Sequence, residues 1–369
     1  MIYFDHAATS PMDPALMLRS SRYFKEHFGN PSTLYKLGEE TSGAIQSARE
    51  SIAKKINAQP NEIYFTSGGT ESDNWALRGI LKEGDHVITT EFEHHAILET
   101  CKYLEKHGVE VSYIKPNKNG FVSVADIADK VQQNTKLVSV MMVNNEIGTI
   151  QPIKEIAEWA SHNNLIIHTD AVQAVGHMDI DVEDLGVDLL SASGHKFGGP
   201  QGIGFLYIKS NIEIEPLIYG GGQEKGMRSG TENVAGILLM NEALGLSLHG
   251  TWNKTVWELR NYMLEELLKI PNVYVNGSIR NRIGTNVNIY IKGVNAEELI
   301  MMLNEDDIYL SAGSACTSSD NKPSHVLKAI GCSDDRARQS VRITLGKDNS
   351  LNDVEKFLKK IKYYINQLR

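Results

Sequence analysis

Short apolar runs alternate with amphipathic stretches from about residue 60 to about residue 210 of the chain. Helical patterns such as HAILETCKYLEKHG and PIKEIAEWASHN lie between most of these runs, and Pro152 stands where a first helical turn tolerates proline. The runs themselves are rich in valine, isoleucine and aromatic residues, which is typical of buried strands: EIYFT, DHVITT, VEVSYI, KLVSVMMV, LIIHTD, DLLSAS and GFLYI. The alternation predicts an α/β fold with a mostly parallel sheet covered by helices on both faces.

Polar groups follow directly after several of the predicted strands. They are the TSGGTE segment at 66–71, the NNE segment at 144–146, Asp170, and the SGHK turn at 193–196. Ligands collect at the carboxyl ends of the strands in such sheets. We therefore expect these groups to converge on one crevice.

The pattern becomes mixed after the glycine-rich stretch at 219–233. Two long helical patterns run to about residue 270, and NVNIYI and SVRITL then read as strands. A helix beginning at Asn295, a short helix before SVRITL and a final amphipathic helix complete this part. The sequence therefore predicts a second, smaller α+β domain.

Composition limits the classes of function. The chain has 369 residues and a formal net charge of −9, which argues against a broad nucleic-acid-binding surface. No window reaches the ~18 uninterrupted apolar residues of a membrane span, so we expect a cytoplasmic protein without a membrane partner. Three scattered cysteines, Cys101, Cys316 and Cys332, predict neither a disulfide framework nor a paired zinc site.

The TSGGTE segment and Asp170 each have two interpretations. The glycines, the helix N-terminus and Thr70 together suit a phosphate, but a glycine turn with a threonine cap would look the same. Asp170 either caps the following turn or, in a partly dry pocket, keeps a pyridine nitrogen protonated. Gln173 would face the same side as Asp170.

Histidine, lysine and cysteine candidates complete the chemistry. His94 and His95 open a helix and point in different directions, so we expect no shared metal there and read them as polar caps unless a ring lies beside them. Lys196, beside the predicted anion site, can form a Schiff base with an aldehyde cofactor. Cys316 lies among small and polar residues, which suits an exposed nucleophile that must travel.

Ordered motifs run almost from one end of the chain to the other. They are DHAATSP, FGNPS, TSGGTESDN, EHHAIL, VNNEIG, HTDAVQ, SGHK, GGGQEKGMRSGTEN, SAGSACTS and VRITLG. Taken together, they resemble the pyridoxal-phosphate-dependent cysteine desulfurases of the class V aminotransferase family. This group supplies sulfur to iron–sulfur cluster assembly and nitrogen-fixation systems.

The resemblance implies a role for each matching residue. Lys196 would carry pyridoxal phosphate, Cys316 would accept the sulfur, and His94 would stack on the ring and take part in catalysis. The remaining cofactor contacts would come from Gly69, Thr70, Asn145, Asp170, Gln173, Ser193, His195 and, from the second subunit, Thr231. Substrate L-cysteine would meet Asn30, Asn145 and Arg342, with the guanidinium on its carboxylate.

The resemblance also implies the architecture and the partners. We expect a fold type I homodimer with a large domain at 14–250 and a small domain at 1–13 and 251–369, the latter carrying the cysteine loop at about 311–324. The persulfide sulfur would pass to an acceptor protein, either an iron–sulfur scaffold or a tRNA-thiolation enzyme. Selenocysteine lyase, another lyase or aminotransferase of this fold, and a non-enzymatic dinucleotide-binding module stay open as alternatives.

Overall fold

The computed structural model describes residues 1–248, 252–313 and 322–369. The strands are β1 (Ile2–Tyr3), β2 (Ile63–Thr66), β3 (His86–Thr90), β4 (Glu110–Ile114), β5 (Thr135–Ser139), β6 (Ile166–Asp170), β7 (Leu189–Ser193), β8 (Gly204–Ile208), β9 (Val273–Val275), β10 (Asn286–Ile291), β11 (Ile308–Tyr309) and β12 (Ser340–Thr344). The α-helices are α1 (Pro14–Glu26), α2 (Lys36–Lys55), α3 (Gly69–Ile80), α4 (His95–Glu105), α5 (Val124–Ala128), α6 (Ile153–His162), α7 (Val182–Leu185), α8 (Val234–Leu248), α9 (Trp252–Leu268), α10 (Ala296–Asn304), α11 (His325–Ala329), α12 (Asp334–Arg338) and α13 (Leu351–Leu368).

The large sheet has seven strands in the order β2-β8-β7-β6-β5-β3-β4. Strands β3 to β7 pair in parallel, and β8 runs antiparallel to both of its neighbours. Helices flank the sheet, so the predicted α/β class is confirmed, and each of the predicted runs in this region forms one strand. The carboxyl ends of the parallel strands meet at one edge, where the polar loops follow.

One predicted strand is shorter than its apolar run. KLVSVMMV forms a strand only to Ser139, although Val140 and Met142 still donate backbone hydrogen bonds to His168 and Asp170 of β6. The Met141 N–H instead donates to the buried Glu93 carboxylate, at 2.9 Å. This side-chain partner ends the regular ladder and directs the chain toward the crevice.

The two ends of the chain share a second hydrophobic core. Strands β12, β10 and β9 form an antiparallel sheet, and β1 pairs in parallel with β11. Phe4 packs edge to face on Phe357 of α13, with ring centroids 5.3 Å apart. The division at residues 14 and 251 stays a prediction, and the shared core shows how the N-terminal segment is held against C-terminal elements.

Local capping explains where several helices begin. Asn295 accepts hydrogen bonds from the Glu297 and Glu298 N–H groups, so α10 begins where the sequence predicts. Pro152 is the cap residue before α6 rather than part of its first turn, because its lack of an N–H costs nothing there. None of the helices in the described ranges combines the length and the apolarity needed to cross a membrane.

Candidate active site

A cavity of about 250 Å³ lies at the carboxyl ends of the parallel strands. Ala7, Ala8, Asp73, Met141 and Val172 form part of its lining, although the sequence assigned none of them a role. The predicted residues that also line it are Gly69, Thr70, His94, Asn145, Asp170, Gln173, Ser193, His195, Lys196 and Arg342. The expected convergence of the strand-end loops is therefore present in the structure.

Lys196 follows β7 at the end of a short 3₁₀ turn, Gly194–Lys196. Its Nζ donates hydrogen bonds to the carbonyl oxygens of Ala7, at 2.7 Å, and Ala8, at 2.9 Å. The Gln173 amide also donates to the Ala7 carbonyl, at 3.0 Å. The N-terminal segment thus forms a wall of the cavity, and the DHAATSP motif was the sequence signal for it.

Asp170 ends β6 and its carboxyl group is almost fully buried, with 5% of the residue exposed. Its Oδ1 accepts the Val172 N–H at 2.9 Å, so it both caps the following turn and faces the cavity. Burial raises the pKa of Asp170 to about 6, while the Val172 N–H and the Lys196 charge act in the opposite direction. A carboxylate in this setting suits a positively charged ring nitrogen.

The N-terminus of α3 lies where the sequence predicts an anion site. Gly68 adopts φ 147°, and α3 begins at Gly69 with backbone N–H groups that have no partner within the helix. A Cβ atom on Gly69 would lie 2.6 Å from Val172 Cγ2, so only glycine fits this close approach. Ser193 and His195 lie beside this turn in a cleft that also includes Thr70.

His94 is the N-cap residue of α4, as the polar-cap interpretation predicts, and it also lines the cavity. The Ala96 N–H donates to His94 Nδ1 at 3.1 Å, so the ring proton resides on Nε2. Burial, followed by the positive charge of Lys196, lowers the pKa of His94 to about 4. The ring is therefore neutral at neutral pH.

His95 instead lies against the His325 ring, with centroids 4.6 Å apart.

Arg342 reaches the cavity from β12 and is 1% exposed. Its Nη2 donates to Asp5 Oδ1 at 2.7 Å and its Nη1 to the Asn145 carbonyl at 3.1 Å. Among the described residues, neither Arg342 Nε nor Asn145 Oδ1 has a hydrogen-bond partner, although both atoms are buried. Unpaired buried polar atoms on a cavity wall indicate a place for a polar ligand.

The structure does not bring every predicted residue into the cavity. Asn30 and Thr231 are exposed and do not line it within this chain. Cys316 lies outside the described residues. The roles predicted for these three residues stay predictions.

An ion pair beside the anion site was not foreseen from the sequence. Arg228 donates to both oxygens of Glu71, from Nε at 2.8 Å and from Nη2 at 3.1 Å. Glu71 also accepts the Ser67 N–H at 2.8 Å. The pair links the TSGGTE turn to the glycine-rich stretch at 219–233. The two motifs were visible in the sequence, but their contact was not.

The chain matches known proteins over its whole length. The family model described as aminotransferase class-V matches residues 2–357. The cysteine desulfurase IscS of Methanosarcina thermophila is 46% identical over 374 residues, which cover 100% of this chain and 93% of that protein. A solved structure named NifS-like protein superposes with a TM-score of 0.93 at 34% identity, covering 99% of both chains. A structure of SspA in complex with cysteine gives a TM-score of 0.84 at 36% identity, covering 94% of this chain and 99% of the other.

The cavity geometry and these comparisons agree. The lysine, the buried carboxylate and the helix N-terminus suit pyridoxal phosphate, on which this family depends. The chain therefore belongs to the pyridoxal-phosphate-dependent aminotransferase class-V family and, within it, to the cysteine desulfurases.

Proposed function

We propose that this protein converts L-cysteine to L-alanine and carries the released sulfur as a persulfide on Cys316. The observation that supports this most directly is the convergence of Lys196, Asp170 and His94 with the N-terminus of α3 in one cavity. The buried Arg342 guanidinium on the same wall suits the carboxylate of an amino acid. The names of the relatives point to the same substrate.

The residues present fit pyridoxal phosphate. The N-terminus of α3, Ser193 and His195 would hold the phosphate, and Asp170 would hold the ring nitrogen. Gln173 would bond the phenolic oxygen, and His94 would lie on the face of the ring. When bound, pyridoxal phosphate supplies an electron-accepting ring that stabilises negative charge on the substrate α-carbon.

The protein's own groups then move protons and orient the substrate. Arg342 Nε binds the substrate carboxylate and fixes the α-carbon in place. The Lys196 Nζ, which lines the same cavity, would take the proton from that carbon. Asp170 stays anionic, because it accepts the Val172 N–H and lies close to the Lys196 cation. His94 holds its proton on Nε2, the nitrogen that the α4 cap leaves free.

Sulfur transfer needs a nucleophile that can reach the substrate. The Cys316 thiolate attacks the substrate sulfur, forming an S–S bond as the substrate Cβ–S bond breaks. The electron pair of the broken bond stays on the substrate carbon, which is protonated to give L-alanine. The persulfide sulfur then passes to an acceptor protein, for which we propose an iron–sulfur scaffold or a tRNA-thiolation enzyme. A free-thiol mechanism of this kind suits the reducing cytoplasm.

We further propose that the active enzyme is a homodimer. Large apolar side chains lie exposed on α1 and the segment after it, including Leu18, Phe24, Phe28 and Leu34, at 84%, 66%, 71% and 95%. Thr231 is exposed near the end of the glycine-rich stretch, three residues after Arg228, which pairs with Glu71. From there it suits a role as a phosphate ligand in the neighbouring subunit.

The proposed function is tested by measuring alanine and enzyme persulfide after L-cysteine is added to the purified holoenzyme. We expect Lys196→Ala and Cys316→Ala each to lower alanine formation by at least ~10²-fold, because each removes a reacting group. Cys332→Ala is the matched control and should keep near wild-type activity, because burial raises the pKa of this half-buried thiol. Near wild-type desulfuration by Cys316→Ala would contradict the assignment of the acceptor.

The same assay separates the alternatives. A selenocysteine lyase would release alanine from selenocysteine without Cys316 while acting poorly on cysteine. An aminotransferase would consume a keto acid and form no persulfide. We expect the wild-type protein to need Cys316 for cysteine and to form persulfide in step with alanine.

A further inference from the structure

A second buried carboxyl group lies in the same cavity as Asp170. Asp73, on α3, lines the cavity and is only 1% exposed. Its Oδ1 has no hydrogen-bond partner among the described residues, and the nearest basic ring atom, His168 Nε2, is 3.7 Å away. The mechanism proposed above does not use this side chain.

His168 does not supply a positive charge to Asp73. It lies two residues before Asp170 on β6, so both side chains point to the same face of the sheet. Its Nδ1 lies 2.9 Å from Ser139 Oγ and its Nε2 lies 3.0 Å from Ser191 Oγ. Burial lowers the pKa of His168 to about 3, so the ring is neutral between its two serine partners.

The two charged groups that act on the pKa of Asp73, Asp170 and Glu93, are both acidic. Glu93, fully buried, accepts the Met141 N–H and the Thr90 hydroxyl, and burial raises its pKa to about 8. Of the cations on the cavity wall, Lys196 donates to the carbonyl groups of residues 7 and 8 and Arg342 pairs with Asp5. The Asp73 carboxyl group shares the cavity with that of Asp170.

Two buried carboxyl groups in one pocket cannot both be ionised at low cost. Asp170 is the better anion, because its Oδ1 accepts the Val172 N–H and Lys196 lies nearby. Burial, followed by the negative charge of Asp170, raises the pKa of Asp73 well above its usual value, with the Ser191 hydroxyl acting in the opposite direction. The proton shared by the pair therefore belongs on Asp73.

We propose that Asp73 is a positioning residue of the cofactor site that stays protonated beside Asp170, so that the cavity floor carries one negative charge, on the carboxylate facing the ring nitrogen. This inference rests on the role proposed above for Asp170. A second negative charge would raise the proton affinity of the carboxylate pair, so that the pair would compete for the proton of the ring nitrogen, and it would add the cost of a second buried charge. A neutral Asp73 avoids both costs.

The protonation state is tested on the full-length protein with the cofactor removed, so that the result does not depend on turnover. The infrared difference spectrum between wild type and Asp73→Asn at neutral pH should show the loss of a carboxylic acid C=O band that shifts in D₂O. Glu93→Gln is the matched control and should remove a different band. Loss of carboxylate bands in Asp73→Asn would overturn the proposal.

A second measurement needs no variant. In wild-type protein labelled with ¹³C at the aspartate carboxyl carbons, one resonance should keep the chemical shift of a protonated acid at neutral pH. If every aspartate resonance has the shift of a carboxylate, the proposal is wrong.

The cofactor provides the functional readout. Asp73→Asn mimics the protonated acid, so it should bind pyridoxal phosphate within about threefold of wild type and keep the pH dependence of its absorbance. Asp170→Asn should weaken binding by about tenfold or more and change that pH dependence. A strong effect of Asp73→Asn on both readouts would mean that Asp73 acts as an anion, against the proposal. If Asp170→Asn changes neither the affinity for pyridoxal phosphate nor the pH dependence of its absorbance, the role proposed for Asp170 is wrong. The infrared result on Asp73 is independent of that outcome.

Discussion

At the scale of single residues, the Arg342 guanidinium uses two of its nitrogens for hydrogen bonds within the protein and, in the proposed function, keeps the third for a ligand. Nη2 is paired with Asp5 and Nη1 with the Asn145 carbonyl, while the buried Nε of this cavity-lining residue has no hydrogen-bond partner in the part of the chain that the structure describes. We expect Arg342→Gln to raise the KM for cysteine by about 30-fold or more, because a buried charged partner of the substrate carboxylate is lost. Steady-state kinetics would measure this.

Two variants control for indirect effects of this substitution. Arg280 is exposed, so Arg280→Gln should leave KM unchanged. Asp5→Asn keeps the guanidinium but removes its anionic partner, and it reports how much of the effect comes from positioning. An unchanged KM in Arg342→Gln would show that another group binds the carboxylate.

At the scale of elements, one ion pair joins the anion-binding turn to the glycine-rich stretch. Burial acts to raise the pKa of Glu71, but the hydrogen bonds from Arg228 and Ser67 outweigh it and hold that pKa below its usual value. We expect Arg228→Gln to lower the free energy of unfolding by about 1–3 kcal/mol, because Glu71 then keeps its burial without its cation. Urea unfolding of the two single variants and the double variant would give the coupling between them.

The exposed pair Lys82–Glu215 is the control for this cycle. Its side chains are 65% and 58% exposed, so solvent screens the interaction and the coupling should be much weaker than that between Glu71 and Arg228. Equal coupling in the two pairs would mean that Glu71 and Arg228 do not hold the two segments together.

At the scale of the whole molecule, we predict a homodimer in which each cofactor site takes Thr231 from the other subunit. Sedimentation equilibrium should give twice the mass of the chain. Mixed dimers of Lys196→Ala and Thr231→Ala should regain activity, because one of their two sites then has both residues intact. Mixed dimers of Lys196→Ala and Ser193→Ala should regain none, because both residues belong to the same chain's site. No recovery in the first mixture would place Thr231 outside the partner's site.

Local sequence patterns were enough to predict the strands, a helix start and the chemistry of the turns. Short apolar runs rich in valine, isoleucine and aromatic residues became the strands of the large sheet, and Asn295 began its helix as expected, because these features depend on neighbours a few residues away. The sequence also predicted that Asp170, Lys196 and the TSGGTE turn share one cavity, because the carboxyl ends of parallel strands lie at the same edge of the sheet. The family motifs added the role proposed for each.

Contacts between groups far apart in the chain could be seen in the folded molecule but not in the sequence. The carbonyl groups that hold Lys196 lie 189 and 188 residues earlier in the chain, and Glu71 and Arg228 are 157 residues apart. No local pattern encodes such contacts, because they arise from the packing of whole elements. The same holds for Asp73: its position on α3 follows from the sequence, but its burial beside Asp170 and a neutral His168 depends on how α3 packs against β6 and β7. Burial and the negative charge of Asp170 set its protonation, and both are properties of the folded molecule.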